Sequence, residues 1–283
     1  MKCLRKTDAE KVLLRALILY DMERKKDIFR YRIITNLNCN MNESTGPNGN
    51  CYFCYQKLKA PLYLDFDKCK DTMEKVGMLK RATIMGGEAM LNPDLNSFIR
   101  LTRQHVTDDV CLVTNGILMN IEQARKCADS GLSEVAISVS SIEQYKRRRE
   151  SALLCKSVIP NTRINVPKCN ESTGDKLVEL LKAILTDGFY CVVCEDLQGR
   201  YGEFDFQNKM NTVKIKDDGF GFYDYMWNSH QFGVFGNYSR YNDCDIIITP
   251  IGNFCSWEKY CSKVENVNLC RKESSCDKES IEN

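Results

Sequence analysis

The feature that most restricts the fold of this chain is a regular alternation of strand-like and helix-like segments between residues 31 and 194. Short runs rich in β-branched, aromatic and other apolar residues predict strands, and longer runs with helical periodicity predict the helices between them. Strands that alternate with helices form parallel sheets with right-handed crossovers. We therefore predict an open or closed α/β barrel, with strands at 31–38, 81–85, 110–113, 134–139, 163–166 and 189–194 and helices at 65–79, 92–104, 121–130, 142–155 and 173–187.

The length of the chain predicts more than one structural unit. Its 283 residues exceed the usual size of a single domain, which favours one large domain with an appended module. We expect an N-terminal helix within residues 1–28, the barrel over 29–197 and a C-terminal extension over 198–283.

The charge balance argues against two classes of partner. With 40 basic and 38 acidic residues the formal net charge is +2, which gives no global field to attract a nucleic acid or an anionic membrane. The N-terminus lacks the apolar region of a signal peptide, and the apolar segment 12–20 is too short to span a bilayer. We therefore expect a cytoplasmic protein whose 16 cysteines are thiols or metal ligands.

Three cysteines follow the first predicted strand. Cys39 comes directly after it, and Cys51 and Cys54 form a C-x2-C pair after an insert that contains the turn-forming run 46–49. Cysteines in such a pattern indicate a metal site. Three thiolates could hold a 4Fe-4S cluster with one iron left for a small molecule, or they could form a structural zinc knuckle that lacks its fourth ligand. Only two histidines are present, so histidine-rich zinc sites are not expected.

Polar and glycine residues stand at the ends of the next predicted strands. In an α/β barrel the reactive groups lie at the carboxyl ends of the strands. A glycine pair allows close approach of the backbone to a ligand, and the glutamate beside it supplies an acceptor. In chain order these positions hold Cys39, then Gly86-Gly87-Glu88, then Thr114-Asn115-Gly116, then Ser138 and Ser140.

This series along roughly 165 residues resembles the radical S-adenosylmethionine (radical SAM) superfamily, whose fold is a partial (β/α)6 barrel. The family commonly reads C-x3-C-x2-C with an aromatic before the last cysteine, here Phe53; eleven residues separate Cys39 from Cys51. The resemblance implies that Cys39, Cys51 and Cys54 hold a 4Fe-4S cluster. It also implies that S-adenosylmethionine is bound by Phe53 through its backbone, by Gly86, Gly87 and Glu88 at the ammonium group, and by Ser138 and Ser140 at the ribose or carboxylate, with Asn115 and Asn165 as second choices.

The reaction implied by the resemblance is reductive cleavage of S-adenosylmethionine to methionine and a 5'-deoxyadenosyl radical, which abstracts a hydrogen atom from the substrate. We expect a small-molecule or nucleotide-like substrate and an electron donor such as flavodoxin or ferredoxin. One alternative is an enzyme that modifies a peptide. Another is a non-catalytic zinc- or RNA-binding module in which the cysteines are structural.

The C-terminal extension carries five more cysteines. Residues 244–255 predict a hairpin flanked by Cys244 and Cys255, and Cys261, Cys270 and Cys276 follow. The extension resembles the SPASM and twitch extensions of radical SAM enzymes, which implies a second 4Fe-4S cluster. We favour Cys244, Cys255 and Cys261 as ligands, with Cys276 ahead of Cys270. A tetrathiolate zinc site is the alternative.

Three other segments have simpler interpretations. The aromatic tracts 219–227 and 232–241 show no helical or strand period, so we expect a loop that packs on the barrel mouth or forms the floor of a substrate pocket. The basic run 146–149 predicts a solvated helix face. Cys191 and Cys194 lie on one predicted strand with their sulfurs on opposite faces, so we assign them to the core.

Overall fold

The computed structural model describes residues 30–41, 51, 54, 60–194, 204–217, 222–235, 245–254, 260 and 263. Within them one sheet of eleven strands forms, in the order β11-β10-β1-β2-β3-β4-β5-β6-β9-β8-β7. The strands are β1 Arg30–Ile34, β2 Arg81–Met85, β3 Val110–Thr114, β4 Glu134–Ser138, β5 Asn161–Pro167, β6 Tyr190–Cys194, β7 Val213–Asp217, β8 Phe222–Trp227, β9 His230–Phe235, β10 Asp245–Thr249 and β11 Gly252–Phe254. The helices are α1 Phe66–Val76, α2 Leu95–Arg103, α3 Ile121–Asp129, α4 Ile142–Val158, α5 Gly174–Thr186 and α6 Phe206–Met210, with a short 3-10 helix at Ala89–Leu91.

Strands β1 to β6 confirm the predicted α/β architecture. Each pairs in parallel with the next strand along the chain, and a helix follows each of β2 to β5. The helices begin where capping residues predict, because Asp65, Asn120 and Ser141 accept backbone N–H bonds from the first turns of α1, α3 and α4. The helix predicted within residues 1–28 lies outside the described residues.

The core lies between the sheet and the helices. In α5 a stripe of aliphatic side chains is fully buried, as the helical period requires: Leu177, Leu180, Leu181, Ile184 and Leu185. In β1 the side chains of Tyr31 and Ile33 alternate toward this layer. No helix in the described part of the chain is long and apolar enough to cross a membrane.

The extension beyond β6 continues the same sheet. Strand β10 pairs in parallel with β1, and β11 returns antiparallel to β10, which confirms the predicted hairpin within 245–254. The prediction of a loop for the aromatic tracts is wrong for β8 and β9, which form an antiparallel pair. Asn228 and Ser229, both at positive φ, make the two-residue turn between them, and such turns match the twist of a hairpin.

A cavity of about 670 Å³ lies where the parallel strands begin. Its charged side chains are largely engaged with one another: Arg81 contacts Asp109 at 2.9 Å and Glu134 at 3.2 Å, and Glu134 also pairs with Arg163. The predicted site residues stand at the opposite ends of the strands and line a second, smaller cavity.

Candidate active site

The carboxyl ends of β1 to β4 meet around a cavity of about 140 Å³. The predicted site residues that line it are Cys39, Cys51, Cys54, Gly86, Gly87, Glu88, Asn115 and Ser138. Met41, Met85, Val113, Thr114 and Gln144 complete its wall. The parallel register thus brings together residues up to a hundred positions apart in the sequence.

The three cysteines of this cavity are all partly exposed. The backbone N–H of Met41 donates to Cys39 Sγ at 3.4 Å, and the N–H of Cys54 donates to the carbonyl of Cys51 at 3.0 Å. Helix cysteines differ, because burial raises the pKa of Cys69 to about 12 and that of Cys127 to about 11. Those two thiols stay protonated at neutral pH and are poor metal ligands.

The three cavity cysteines could be the ligands of a 4Fe-4S cluster. Among the residues that the structure describes, no group of three or more His, Cys, Asp or Glu side chains is arranged to hold one metal ion. A 4Fe-4S cluster offers a separate iron to each thiolate, so three thiols around one cavity match its donor set.

The glycine pair packs against the segment that leads to Cys39. A Cβ atom on Gly86 would overlap the Asn36 side chain, and one on Gly87 would overlap the Asn38 carbonyl. Backbone bonds join the same segments, because Gly87 N donates to Asn36 O at 2.9 Å and Glu88 N to Asn38 O at 2.6 Å. The close approach that requires glycine here is therefore to the chain itself. Contact of the pair with an ammonium group stays a prediction.

Glu88 joins the ends of β2 and β3. Its buried carboxylate accepts through Oε1 from Thr114 Oγ1 at 2.7 Å and from Met90 N at 3.0 Å, and through Oε2 from Asn115 N at 2.7 Å. Burial raises the pKa of Glu88, while these three hydrogen bonds act in the opposite direction. The carboxylate fixes the backbone at Asn115, and its predicted ammonium contact stays a prediction.

Asn115 links the cysteine segment to helix α4. Its Nδ2 donates to Asn40 Oδ1 at 2.8 Å, and its carbonyl accepts from Arg148 Nε at 3.1 Å. Arg148 is buried, so the prediction of a solvated face for 146–149 is wrong at this position, although Lys146, Arg147 and Arg149 are exposed. The local charge pattern could not reveal that one arginine of the run faces a strand end.

The other polar residues predicted to bind the cofactor differ in whether they line the cavity. Ser138 lines the cavity, but Ser140 and Asn165 do not. Ser140 bonds to Gln144 and Glu171, and Asn165 Oδ1 accepts from Arg163 Nε at 3.1 Å. The structure therefore does not bring the side chains of Ser140 and Asn165 to the cavity where a cofactor was expected.

Gln144 is a cavity residue that the sequence analysis missed. The available signal was its position in the first turn of a helix that directly follows a strand end. Phe53, Cys244, Cys255, Cys261, Cys270 and Cys276 lie outside the described residues, and their predicted roles stay predictions.

Comparisons with known proteins agree with this geometry. Residues 41–154 match the model of the radical SAM superfamily. A probable GTP 3',8-cyclase of Methanococcus maripaludis is 26% identical over 130 residues, which cover 43% of this chain and 40% of that protein. The GTP 3',8-cyclase of Aliarcobacter butzleri is 37% identical over 67 residues, or 23% of this chain and 20% of that protein. The chain therefore spans 40% or less of the length of these relatives.

One solved structure adds support for the fold. Streptococcus suis SuiB bound to the precursor peptide SuiA matches with a TM-score of 0.51 at 13% identity, and the match covers 74% of this chain and 50% of that one. At this identity the likeness concerns the fold alone.

Proposed function

We propose that this chain, whose residues 41–154 match the model of the radical SAM superfamily, is an enzyme that cleaves S-adenosylmethionine reductively with a 4Fe-4S cluster held by Cys39, Cys51 and Cys54. The observation that carries the proposal is the meeting of three partly exposed thiols with Gly86, Gly87 and Glu88 around one cavity. Two of these cysteines lie inside the segment that matches the family, and Cys39 stands two residues before it.

The cluster, when bound, supplies the electron for cleavage of S-adenosylmethionine to methionine and a 5'-deoxyadenosyl radical, which takes a hydrogen atom from the substrate. The protein itself holds the reactants and encloses them. The cysteines hold the iron, and the contact of Gly86 and Gly87 with residues 36–38 fixes the approach to Cys39. Met85 and Val113 add apolar wall that excludes water.

Glu88 still has capacity for a cofactor ammonium group. Its Oε1 accepts two hydrogen bonds from described residues, whereas Oε2 accepts one, and a carboxylate oxygen can accept two. We assign the ammonium contact to Oε2. Ser138, on the same cavity wall, is the residue we assign to the ribose or carboxylate.

We further propose a small-molecule or nucleotide-like substrate, which the names of the GTP 3',8-cyclase relatives support. The predicted SPASM/twitch-like ligands would hold a second 4Fe-4S cluster next to the β10–β11 hairpin, and flavodoxin or ferredoxin would supply electrons. We also propose a reducing compartment such as the cytoplasm, because cysteines stay reduced there and remain able to bind iron.

Anaerobic reconstitution with iron and sulfide tests the proposal. The protein should turn brown and, with dithionite, form methionine and 5'-deoxyadenosine from S-adenosylmethionine. Cys39→Ala should abolish this cleavage because it removes one of three ligands. Cys127→Ala is the matched control, since that cysteine is buried on α3 away from the cavity, and it should retain cleavage.

Two results would contradict the proposal. Turnover by Cys39→Ala would mean that another cysteine is the ligand. One zinc per chain without iron would identify a structural zinc module instead.

A further inference from the structure

Gln144 combines burial in the protein with access to the site cavity. It lies in the first turn of α4, is 5% exposed, and lines the cavity together with Ser138 and the three cysteines. Its Oε1 accepts from the backbone N–H of Ser140 at 3.0 Å, and Ser140 Oγ lies 3.2 Å away. The carbonyl end of this amide therefore has partners.

The contact with Ser140 fixes which way the amide faces. A backbone N–H can only donate, so the Gln144 atom that meets it is the oxygen. The amide is planar, so Nε2 is held on the other side of the group. The hydrogen bonds of the side-chain amide to described residues all involve Oε1. Because Gln144 lines the cavity, we place the donor Nε2 on the cavity side of the side chain.

Ser140 is itself held in place. Its Oγ lies 3.0 Å from Glu171 Oε2, and a carboxylate can only accept, so the single hydroxyl proton serves Glu171. The backbone N–H then serves Gln144. Glu171 follows β5, so this chain of bonds joins the turns after β4 and β5.

We propose that Gln144 Nε2 donates a hydrogen bond to a carboxylate oxygen of bound S-adenosylmethionine, with Ser140 as the positioning residue that orients the amide. This inference rests on the proposed function, because it takes S-adenosylmethionine as the occupant of the cavity. A carboxylate can only accept hydrogen bonds, so an oriented donor suits it. Ser140 acts through Gln144 rather than by touching the cofactor.

Gln144→Glu is the sharpest variant, since it keeps the size of the side chain and the acceptor for Ser140 while it removes the donor. In calorimetry at pH 8 on the reconstituted protein, we expect its affinity for S-adenosylmethionine to fall at least about tenfold, the loss of one hydrogen bond with added repulsion. Iron content and melting temperature should stay the same. Gln123→Glu, the same change on α3 outside the cavity, should bind like the unmodified protein.

Two further measurements separate the roles. 5'-Methylthioadenosine has the ribose but no carboxylate, so its affinity should be the same in Gln144→Glu as in the unmodified protein. An equal loss of affinity for this ligand would contradict the carboxylate contact and overturn the proposal. Ser140→Ala keeps the backbone N–H, so we expect a smaller loss, and Ser140→Thr, which keeps the hydroxyl, should restore it.

The failures are distinguishable. Binding by Gln144→Glu equal to that of the unmodified protein overturns this inference and leaves the proposed function intact. Loss of iron or of folding in the variant assigns Gln144 a structural role and also overturns it. A reconstituted unmodified protein that carries its cluster but does not bind S-adenosylmethionine overturns both.

Discussion

Single side chains in this protein derive their roles from bonds that the sequence does not display. Seven residues of the predicted series at the strand ends line one cavity, because parallel strands end at one edge. Ser140 of that series does not line the cavity, and its hydroxyl donates to Glu171. Gln144, whose orientation depends on one backbone N–H, lines the cavity but was not in the series. Strand position can be read from residue pattern, whereas side-chain direction depends on tertiary partners.

Glu88→Gln should lower both stability and cofactor affinity. Either orientation of the new amide places its NH2 group against a backbone N–H, that of Asn115 or that of Met90. The mismatch should cost roughly 1–3 kcal/mol of unfolding free energy. We also expect weaker binding of S-adenosylmethionine with iron content unchanged.

The check is urea unfolding together with calorimetry, with the exposed Glu143→Gln on α4 as the control. If Glu88→Gln unfolds with an unchanged free energy, Glu88 does not stabilise the junction of β2 and β3. If its affinity for S-adenosylmethionine is unchanged, Glu88 has a structural role only.

The buried thiol of Cys127 should make stability fall at alkaline pH. Burial raises the pKa of Cys127 from 9.0 to about 11, so between these values the unfolded chain releases a proton that the folded chain keeps. Cys127→Ala should therefore flatten the decline of unfolding free energy by up to about 1.4 kcal/mol per pH unit in this window. Urea titrations from pH 8 to 11 measure the slope, and Ser130→Ala, which removes no titrating group, should leave it unaltered.

At the scale of elements, the sequence predicted the bounds of a short buried strand well. Strand β2 has the predicted bounds, Arg81–Met85, because a short run with buried apolar residues is bounded by polar residues and a glycine pair. Strands β8 and β9 were missed because their turn uses Asn228 and Ser229 at positive φ rather than the stronger Asn-Gly signal. Aromatic residues that suggested an irregular loop pack across this pair, with Tyr225 and Phe232 stacked at 5.5 Å.

Gly87→Ala should reduce iron binding by displacing the segment before Cys39. The added methyl group would meet the Asn38 carbonyl, which is backbone and cannot move aside alone. We expect less than half the iron of the unmodified protein after reconstitution and a lower melting temperature. Gly174→Ala is the control: its φ of +56° adds strain, yet nothing lies within 4 Å of the new atom. Full iron content in Gly87→Ala would show that the close approach is dispensable for the cluster.

At the scale of the whole molecule, the extension is part of the barrel sheet. The sheet continues across the boundary predicted between residues 197 and 198, because β9 pairs with β6 and β10 pairs with β1. Arg30 and Arg32 both pair with the buried Asp245 across the second junction. Strand β10 of the extension therefore lies beside β1, the strand that leads to Cys39.

The predicted second cluster can be tested by the iron content of the protein. Anaerobically reconstituted protein should carry about eight irons per chain, and Cys255→Ala should carry about four, since each cubane needs its own cysteine set. Iron and zinc analysis measures both, with Cys127→Ala as the control. Four irons and one zinc in the unmodified protein would leave the extension with a structural metal.

The pairing of β1 with β10 also sets an order of events during synthesis. The two strands are joined by contacts between residues 215 positions apart, such as Arg30 with Asp245. At about 5–20 residues per second, a ribosome needs roughly 10–40 s to make the intervening chain. Throughout that time one edge of β1 has no partner from β10, and unpaired edges invite association with other chains. A nascent chain that stalls before residue 245 therefore keeps this edge of β1 without its partner strand.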